Sequence, residues 1–445
     1  MPRAFLPSAC AGLAMLLSAN VPAAPLTLID ALQHAIDSDP AVMVSQAQRD
    51  ADIEAGVQER ATRLPVLSAT GTLNETHLNV EKTPFPRPGF SENYSGYSAS
   101  VELRQPLFRY DWFARGRRAE ARDQLAEQAF RQRAQALMTR VAERYLAVVK
   151  AGNELRLAEA EAGAVRRSLD DTRKRYEVQA IPGTDLKEAL ARDDLSQARL
   201  LAARQTLEAA RDQLDETTGH GRDALAELAP STLLPLQPAG DVQGWVTRAL
   251  DNSPVLQQAR LNRDIARADL DSRRSDGLPS LDLVGIHSRQ DQSRSALGSK
   301  SDNSQVALEL KVPLFSSGLA TSVLRQADAR HRAAEAEVLR QTRVVSNEVR
   351  RLARDLDVAQ AQVAAFARAE TSARAAEQAV RYGYEAGKRT ITDVLNAQSA
   401  AVQARRNLDQ ARYDSLLKRI QLQQAAGLLT PDDLAAVDRL LTPAP

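Results

Sequence analysis

The chain of 445 residues carries 58 basic and 57 acidic side chains, and its net charge of +1 gives no general attraction to nucleic acid. Aromatic residues make up 4% and charged residues 26%, a composition typical of long packed helices and not of an α/β enzyme core. The single cysteine, Cys10, excludes a disulfide framework and a cysteine metal site.

The first residues predict a signal for export. Arg3 gives a positively charged start, residues 9–17 an apolar core, and Val21-Pro22-Ala23 a cleavage site of small residues. The apolar core is too short to cross a bilayer as a helix. We therefore expect residues 1–23 to be a signal peptide that is removed from an exported protein.

The remaining chain alternates helical segments with two pairs of strands. Stretches of helix-forming residues predict the helices, and alternating polar and apolar residues predict the strands. In chain order the predicted elements are a helix over Leu28–Leu64, strands at about 65–80 and 93–108, a long helix over Ala114–Tyr176, a helix over Asp185–Thr217, a linker over 219–240, a helix over Asp241–Leu278, strands at about 279–293 and 303–315, a long helix over Leu319–Tyr384, a helix over Ile391–Gly427 and a tail over 430–445.

Four landmarks occur twice in the same order, roughly 210 residues apart, and indicate a duplicated unit. The pairs are Asp37–Pro40 with Asp251–Pro254, Leu64–Pro65 with Leu278–Pro279, Gln105–Phe108 with Val312–Phe315, and Tyr176–Asp185 with Tyr384–Asp393. We predict a first structural repeat over 24–218 and a second over 241–429.

The predicted strands favour a membrane location. Along Tyr97–Arg104 the odd positions are apolar and the even positions polar, and the same alternation returns around Val306, Leu308 and Leu310. A half-buried soluble sheet shows this pattern too, but the export signal favours strands that cross a membrane. At about 10 to 15 residues each, such strands are long enough to cross the hydrocarbon layer at a tilt.

Four strands cannot close a barrel alone, and an open sheet edge in lipid leaves backbone groups unpaired. Other copies of the chain must therefore complete the sheet. A dimer would give eight strands, whose interior is filled by side chains, and a trimer would give twelve with room for a lumen. The residues favour the trimer only if transport is the function.

The two long helices are each about 100 Å in length. Apolar residues recur along the first of them at spacings of three and four, a pattern typical of a coiled-coil seam. These residues are Leu137, Val141, Tyr145, Val148 and Leu155. A plain coiled-coil scaffold explains the helices but not the paired strands at matching places.

Several motifs resemble a known family. They are Leu28–Leu32 with Asp39-Pro40, the strand exits Gln105–Phe108 and Val312–Gly318, and Tyr384–Gln398, which is the most specific. Over essentially the whole mature chain the pattern resembles the TolC-like outer-membrane channel proteins, the exit ducts of type I secretion and multidrug efflux. The resemblance implies a mainly α fold with membrane β: a homotrimer with a twelve-stranded outer-membrane β-barrel, four strands from each chain, and a helical tunnel in the periplasm.

The resemblance also implies partners. A periplasmic adaptor protein and an inner-membrane transporter of ABC or RND type would dock at the periplasmic tip of the tunnel, and outer-membrane lipid would surround the strands. Nucleic acid is not among the expected partners. Cargo is not defined by the sequence, because the tunnel is common to protein secretion and small-molecule efflux.

By motif position, the gate of the family falls on the turns between paired helices. The resemblance implies a latch at Tyr384, Arg389, Thr184 and Asp185, a pore constriction at Asp393 and Asn396, and adaptor-docking turns at Ala180, Ile181, Pro182, Gly183, Ala386, Gly387 and Lys388. Asn396 stands where a second Asp would complete a double acidic ring, and Ile181–Gly183 departs from the first turn of the family. We therefore expect one charged constriction and weaker cation selectivity.

Catalysis, cofactors and metals are not expected. The 5 histidines are scattered and form no pair at metal-ligand spacing. Gly383–Arg389 looks superficially like a phosphate loop, but it has the wrong spacing and follows no strand. The alternative function is an exported periplasmic coiled-coil scaffold, or an adaptor-like structural protein, without a pore.

Overall fold

The computed structural model of the protein describes residues 25–81, 89–228, 239–292, 298–315 and 317–442. The predicted signal peptide with Cys10 lies outside the described residues, as does the middle of the predicted linker.

The described residues form mainly helices, with two pairs of long strands between them. The helices are α1 (Leu28–Ser38), α2 (Pro40–Ala61), α3 (Trp112–Glu177), α4 (Gly183–Thr218), α5 (Val242–Asn252), α6 (Pro254–Ser275), α7 (Leu319–Glu385), α8 (Ile391–Ala425) and α9 (Pro431–Asp438). The strands are β1 (Val66–Val80), β2 (Phe90–Phe108), β3 (Glu227–Leu228), β4 (Ser280–Asp291), β5 (Lys300–Lys311) and β6 (Leu441–Thr442). This order confirms the predicted duplicated unit of helix, two strands, long helix and helix. In the parts of the chain that the structure describes, no helix has both the length and the apolar composition of a membrane span.

The helices predicted over Leu28–Leu64 and Asp241–Leu278 are each divided in two. The breaks fall at Pro40 and Pro254, which stand at the first positions of α2 and α6. Proline fits a first position, where its missing N–H is not needed, but clashes inside a helix. Asp39 then caps α2, because its carboxylate accepts a backbone N–H at 2.8 Å.

The four long strands form one antiparallel sheet in the order β1-β2-β4-β5. Val66 lies opposite Arg104, Arg104 opposite Val284, and Val284 opposite Ala307. Because β2 and β4 come from different repeats, their pairing joins the repeats side by side. Within the described residues, β1 and β5 are the two edges of the sheet.

The two faces of this sheet differ in chemistry. The apolar face is largely exposed and carries Leu67, Leu73, Val101, Leu103, Val306, Leu308 and Leu310. Leu73 is 88% exposed and Leu308 67% exposed, so the described part of the chain does not cover this face. On the opposite face, an Arg104 guanidinium nitrogen lies 3.0 Å from a Glu309 carboxylate oxygen. The alternation predicted from the sequence is therefore confirmed.

Prolines shape the ends of the strands next to the helices. β5 ends at Lys311, although its pattern predicts a strand to about 315, because Pro313 cannot donate a ladder hydrogen bond. β2 instead continues through Pro106, and the pairing register with β4 shifts between Pro106 and Phe108.

The predicted seam of α3 lies in the main hydrophobic core. Val141 and Tyr145 are fully buried, and Leu137 and Val148 are buried beside them. They belong to one cluster with residues of α1, α4, α8 and α9, among them Leu28, Leu214, Ile420 and Leu434. The seam residues therefore pack against several helices. A simple coiled coil would have one partner helix at this seam.

The predicted linker and tail meet at this core. β3 in the linker pairs antiparallel with β6 in the tail, with Glu227 opposite Thr442. The Tyr145 hydroxyl lies 2.9 Å from the carbonyl oxygens of both Leu26 and Ala226. Burial raises the pKa of Tyr145, so the phenol stays a neutral donor that ties α3 to these segments.

Candidate functional site

Two turns connect the paired helices, one between α3 and α4 and one between α7 and α8. Each turn ends its first helix with the same hydrogen bond: Ala180 N–H donates to the Arg175 carbonyl at 2.9 Å, and Lys388 N–H donates to the Gly383 carbonyl at 2.8 Å. This bond belongs to the Schellman motif, which satisfies the last carbonyls of a helix. The two turns therefore share one backbone geometry.

The residue that reverses the chain differs between the turns. The Schellman motif places the residue after the helix in the left-handed conformation, which glycine adopts at no steric cost. The second turn has Gly387 there, with φ of 71°, whereas the first turn has Gln179, with φ of 57°. The first turn therefore carries backbone strain that the second does not.

The start of α8 is closed by a capping box. The Thr390 hydroxyl oxygen accepts the Asp393 N–H at 3.1 Å, and an Asp393 carboxylate oxygen accepts the Thr390 N–H at 3.0 Å. The backbone N–H of Thr390, followed by its hydroxyl, holds the pKa of the Asp393 carboxyl below its usual range. The carboxylate is therefore ionised at neutral pH and fixed at the helix start.

The start of α4 is built differently. Pro182 occupies the N-cap position and makes no side-chain hydrogen bond there. The equivalent of Asp393 in this turn is Asp185, and its carboxylate accepts a hydrogen bond from the Thr184 hydroxyl at 3.3 Å. Asp185 is thus outside a capping box, and its carboxylate remains at an exposed turn.

Tyr384 and Arg389 make contacts that join the ends of the helices. The Arg175 guanidinium at the end of α3 lies 5.2 Å from the centre of the Tyr384 ring at the end of α7, which is a cation–π contact. Arg389 packs on Gly383, where an added Cβ would lie 2.8 Å from the Arg389 Cγ. Gly383 therefore leaves the space that the Arg389 side chain occupies.

The sequence-predicted site residues fall on both turns, and only some of them touch within one chain. Thr184 contacts Asp185 on the first turn. Among the described contacts, Tyr384 and Arg389 reach Arg175 and Gly383 and do not reach Thr184 or Asp185. The docking-turn residues Ala180, Ile181, Pro182, Gly183, Ala386, Gly387 and Lys388 form the two turns themselves.

Two polar contacts connect α4 to α8 just behind the turns. The Thr392 hydroxyl donates to a Glu188 carboxylate oxygen at 3.0 Å. One helical turn further on, an Arg192 guanidinium N–H donates to the Asn396 side-chain oxygen at 2.5 Å. The starts of the two helices are therefore joined at matched positions by side-chain contacts.

Sequence reasoning does not identify Arg175, Glu188 or Arg192 as members of this site. Glu188 and Arg192 are four residues apart on α4, as Thr392 and Asn396 are on α8. This equal spacing is the signal in the sequence that could indicate the two contacts. It becomes informative only once the two helices are known to lie side by side.

A buried ion cluster lies deeper between α3, α4 and α8. The Glu161 side chain, 8% exposed, lies 2.9 Å from Arg199 and 3.0 Å from Arg406. Burial raises the pKa of Glu154, two helical turns from Glu161, and the Arg406 charge opposes that rise. Because each partner comes from a different helix, this cluster fixes the two hairpins to each other.

Within the described residues, no group of three or more His, Cys, Asp and Glu side chains is arranged to hold a metal ion.

Long helical hairpins, largely exposed turns at their ends and a sheet with an exposed apolar face are typical of one class of protein, the subunits of outer-membrane channels. The chain belongs to the outer membrane efflux protein family, whose profile matches residues 31–220 and 245–428.

Individual relatives cover nearly the whole chain. The alkaline protease secretion protein AprF of Pseudomonas aeruginosa is 30% identical over 431 residues, which is 95% of this chain and 89% of AprF. The outer membrane protein TolC of Vibrio cholerae is 29% identical over 415 residues, 92% of this chain and 93% of TolC. The crystal structure of the outer membrane protein VceC of Vibrio cholerae covers 90% of this chain and 96% of its own at a TM-score of 0.76 and 17% identity, so the fold is shared.

Membership of this family defines the role of the chain in outline. It is an outer-membrane exit duct for secretion or efflux, with a large periplasmic part, and it is not an enzyme. Channels of this family work in tripartite export systems.

Proposed function

We propose that three copies of this chain form a passive duct that is closed at the helix turns and opened there by its partners. The observation that carries this proposal is the separation of sheet and turns. α3 and α7, of 66 and 67 residues, lead from the sheet to the turns, a distance of about 100 Å. A duct of that length, anchored by its sheet in the outer membrane, carries its gate deep in the periplasm.

The sheet supports assembly from several copies. Its edges are β1 and β5, and its apolar face is exposed. In lipid each unpaired backbone group costs several kcal/mol, so the β5 edge of one copy pairs with the β1 edge of the next. Three copies give twelve strands with an open interior, whereas eight strands are filled by their own side chains.

The helices carry further apolar surface for contact between copies. Exposed apolar residues lie on α2 and on the outer face of α7, away from the hydrophobic clusters. They are Met43, Val44, Leu339, Val344 and Val358. Packing these residues against the neighbouring copies removes them from water and gives the tunnel a continuous wall.

The latch is proposed to act between neighbouring copies. Asp185 lies outside a capping box. Among the described contacts of its own chain, the capping box of α8 and then the Arg389 charge lower the pKa of the Asp393 carboxyl, and Arg389 makes no ion pair with Asp185. A guanidinium donating to this carboxylate and to the Thr184 hydroxyl of the next copy would pin one turn to another. Tyr384, held by Arg175, would support the same closed arrangement, while Asp393 and Asn396 line the constriction.

The turns are the proposed docking surface for a periplasmic adaptor and an inner-membrane transporter of ABC or RND type. Gly387 lies at the exposed end of its hairpin with open space around it, where a partner can reach the backbone. Engagement that displaces a few polar contacts at these turns would open the tip without rebuilding the helices. The long hairpins then tilt as rigid elements.

The proposed cargo class is protein. The relative at 30% identity is named for secretion of alkaline protease, and it matches the chain over 95% of its length. A strain that lacks this chain should therefore lose proteins from its culture medium. Increased sensitivity to small toxic molecules with an unchanged set of secreted proteins would instead assign the duct to efflux.

Single-channel recording tests the gate. We compare wild type with a variant carrying Tyr384→Phe and Arg389→Ser, each purified in detergent and inserted into planar lipid bilayers. The wild type should show a small conductance and the variant a clearly larger one. The matched control carries Tyr382→Phe and Arg374→Ser, which alter the same residue types at exposed positions of α7 and should conduct like the wild type.

Two outcomes would contradict this proposal in different ways. Equal conductance in all three proteins would leave the duct in place and remove Tyr384 and Arg389 from its gate. Protein that stays in water without detergent and gives no current would favour the periplasmic scaffold instead.

A further inference from the structure

Arg192 on α4 places a cationic group beside the proposed constriction. Its guanidinium donates to the side-chain oxygen of Asn396 on α8 at 2.5 Å. Asn396 is exposed at the start of α8, one turn behind Asp393. The contact therefore brings a group from α4 to the residue on α8 that was expected to line the pore.

The charge of Arg192 is not neutralised by the acids around it. Asp193 pairs with Arg166 at 2.9 Å, and Glu161 pairs with two other arginines. Glu188 accepts a hydrogen bond from Thr392, and no ion pair links it to Arg192 among the described residues. An amide partner accepts a hydrogen bond but carries no charge, so Arg192 keeps its full positive charge.

Asp393 supplies the opposite charge nearby. Three residues of helix separate Asp393 from Asn396, a rise of about 4.5 Å. This rise between the two backbone levels is shorter than the Debye length of about 8 Å at physiological salt, so a charge held at Asn396 acts on the same stretch of the pore as Asp393. After the contacts with Thr390, the Arg389 charge also lowers the pKa of the Asp393 carboxyl, so Arg389 acts there too. An anionic level and a cationic level thus lie next to each other along the axis.

We infer that Arg192 determines the ion selectivity of this duct, because its guanidinium, held by the Asn396 amide, offsets the Asp393 carboxylates at the closed tip. The inference rests on the proposed function, in which the start of α8 lines the pore. A ring of carboxylates alone would concentrate cations. With Arg192 beside it in every copy, the closed duct discriminates only weakly between small cations and small anions.

The reversal potential of single channels in a KCl gradient tests this inference. Wild type should give a ratio of K⁺ to Cl⁻ permeability near unity. Arg192→Gln removes the positive charge and should raise this ratio by about tenfold, the lower end of what focused charge achieves in a narrow cleft. Arg192→Lys keeps the charge and should behave like the wild type.

Two further variants separate charge at the constriction from charge elsewhere. Arg204→Gln removes an exposed arginine from the same helix, about 18 Å farther from the turn, and should leave the ratio unchanged. Asn396→Asp adds a carboxylate that pairs with Arg192, so its ratio should rise less than that of the double variant Arg192→Gln with Asn396→Asp.

The outcomes distinguish this inference from the duct itself. Conducting Arg192→Gln channels with the wild-type permeability ratio would overturn the role of Arg192 and leave the duct intact. A strong preference of the wild-type channel for K⁺ over Cl⁻ would also overturn the role of Arg192 and leave the duct intact. Absence of current from the wild type and from every variant would contradict the proposed duct and the inference together.

Discussion

Gln179 occupies a backbone position that suits glycine. Its φ of 57° matches the 71° of Gly387 at the equivalent place of the second turn. A residue with a Cβ in the left-handed conformation costs about 1 kcal/mol or more, whereas glycine adopts it freely. We predict that Gln179→Gly stabilises the folded conformation of the first turn. Gly387→Gln should destabilise the second turn by a similar free energy.

Hydrogen exchange of the turn amides measures this effect. The Ala180 N–H should exchange about fivefold more slowly in Gln179→Gly, since 1 kcal/mol corresponds to that factor. The Lys388 N–H should exchange faster in Gly387→Gln and stay unchanged in Gln179→Gly. Equal exchange at Ala180 in wild type and variant would show that the side chain of Gln179 compensates for its backbone strain.

Asp393 makes the start of α8 sensitive to acid. Its pKa is lowered in the folded protein, so the carboxylate stabilises the fold above the unfolded pKa, and this contribution is lost as pH falls through the folded pKa. We predict that the first turn of α8 stays protected at neutral and mildly acidic pH. Protection should fall only when the pH lies below the ordinary pKa range of an aspartate. Limited proteolysis or hydrogen exchange across a pH series measures it.

Asp393→Asn is the control for that pH series. An amide does not titrate, so the variant should start with weaker protection and lose little more of it on acidification. The start of α4, where Pro182 replaces the capping threonine, should show no comparable step. Parallel acid transitions in wild type and Asp393→Asn would assign the sensitivity to another group.

The contacts of the site are less predictable than its positions. Thr390 followed three residues later by Asp393 is a capping box that the sequence contains in full. The partnership of Arg192 with Asn396 depends on two helices from different repeats lying side by side, and no local pattern specifies it. The cation–π contact of Arg175 with Tyr384 has the same origin.

At the scale of elements, the sheet divides its residues between an exposed apolar face, which we assign to lipid, and a polar face. Leu308 lies on the exposed apolar face, and Gln305 on the opposite face of the same strand. An arginine on a lipid face near the bilayer midplane costs about 2–4 kcal/mol, whereas a polar face tolerates the charge. We predict that Leu308→Arg lowers the amount of folded protein in the outer-membrane fraction, and that Gln305→Arg does not.

Quantitative blotting of membrane fractions, with urea washes to remove unfolded protein, checks this pair. The comparison is matched because both variants add the same side chain to β5, three residues apart and on opposite faces. Equal loss in both would indicate that the strand tolerates no arginine at all. Equal amounts of folded protein would contradict the assignment of the apolar face to lipid.

Long elements are predictable and short ones are not. The uninterrupted helical pattern over Ala114–Tyr176 predicts α3 closely, because such a run leaves few alternatives. The two-residue strands β3 and β6 show no periodicity, and their pairing joins segments that are far apart in sequence. The helix break at Pro40 is readable in principle, since proline fits the first position of a new helix.

At the scale of the whole molecule, the first and last segments that the structure describes close one core. α9 and the residues before α1 meet near Tyr145, and Leu28 N–H donates to the Asp438 carboxylate at 2.8 Å. Leu434 is fully buried in the same cluster. The tail therefore has a structural role near the middle of the long helix α3, where α8 packs against it.

The free edges of the sheet lead to the last prediction, which concerns stoichiometry. A chain that offers β1 on one side and β5 on the other pairs head to tail around a ring, and such a contact closes only at a fixed number of copies. We predict three copies. Co-expressed tagged and untagged chains, separated by charge in detergent, should give two mixed species between the two pure ones.

Two copies would give one mixed species and a closed sheet of eight strands, whose interior side chains leave no passage. That result would contradict the duct, because an eight-stranded sheet leaves no passage. The exposed apolar residues of α2 and α7 would then have to be covered in an assembly that has no tunnel between the helices. Three copies, as proposed, would instead surround an axis, with one Asp393 and one Arg192 from each chain near it. Only a ring of this kind turns the contacts of a single chain into a constriction, so stoichiometry and ion selectivity depend on the same geometry.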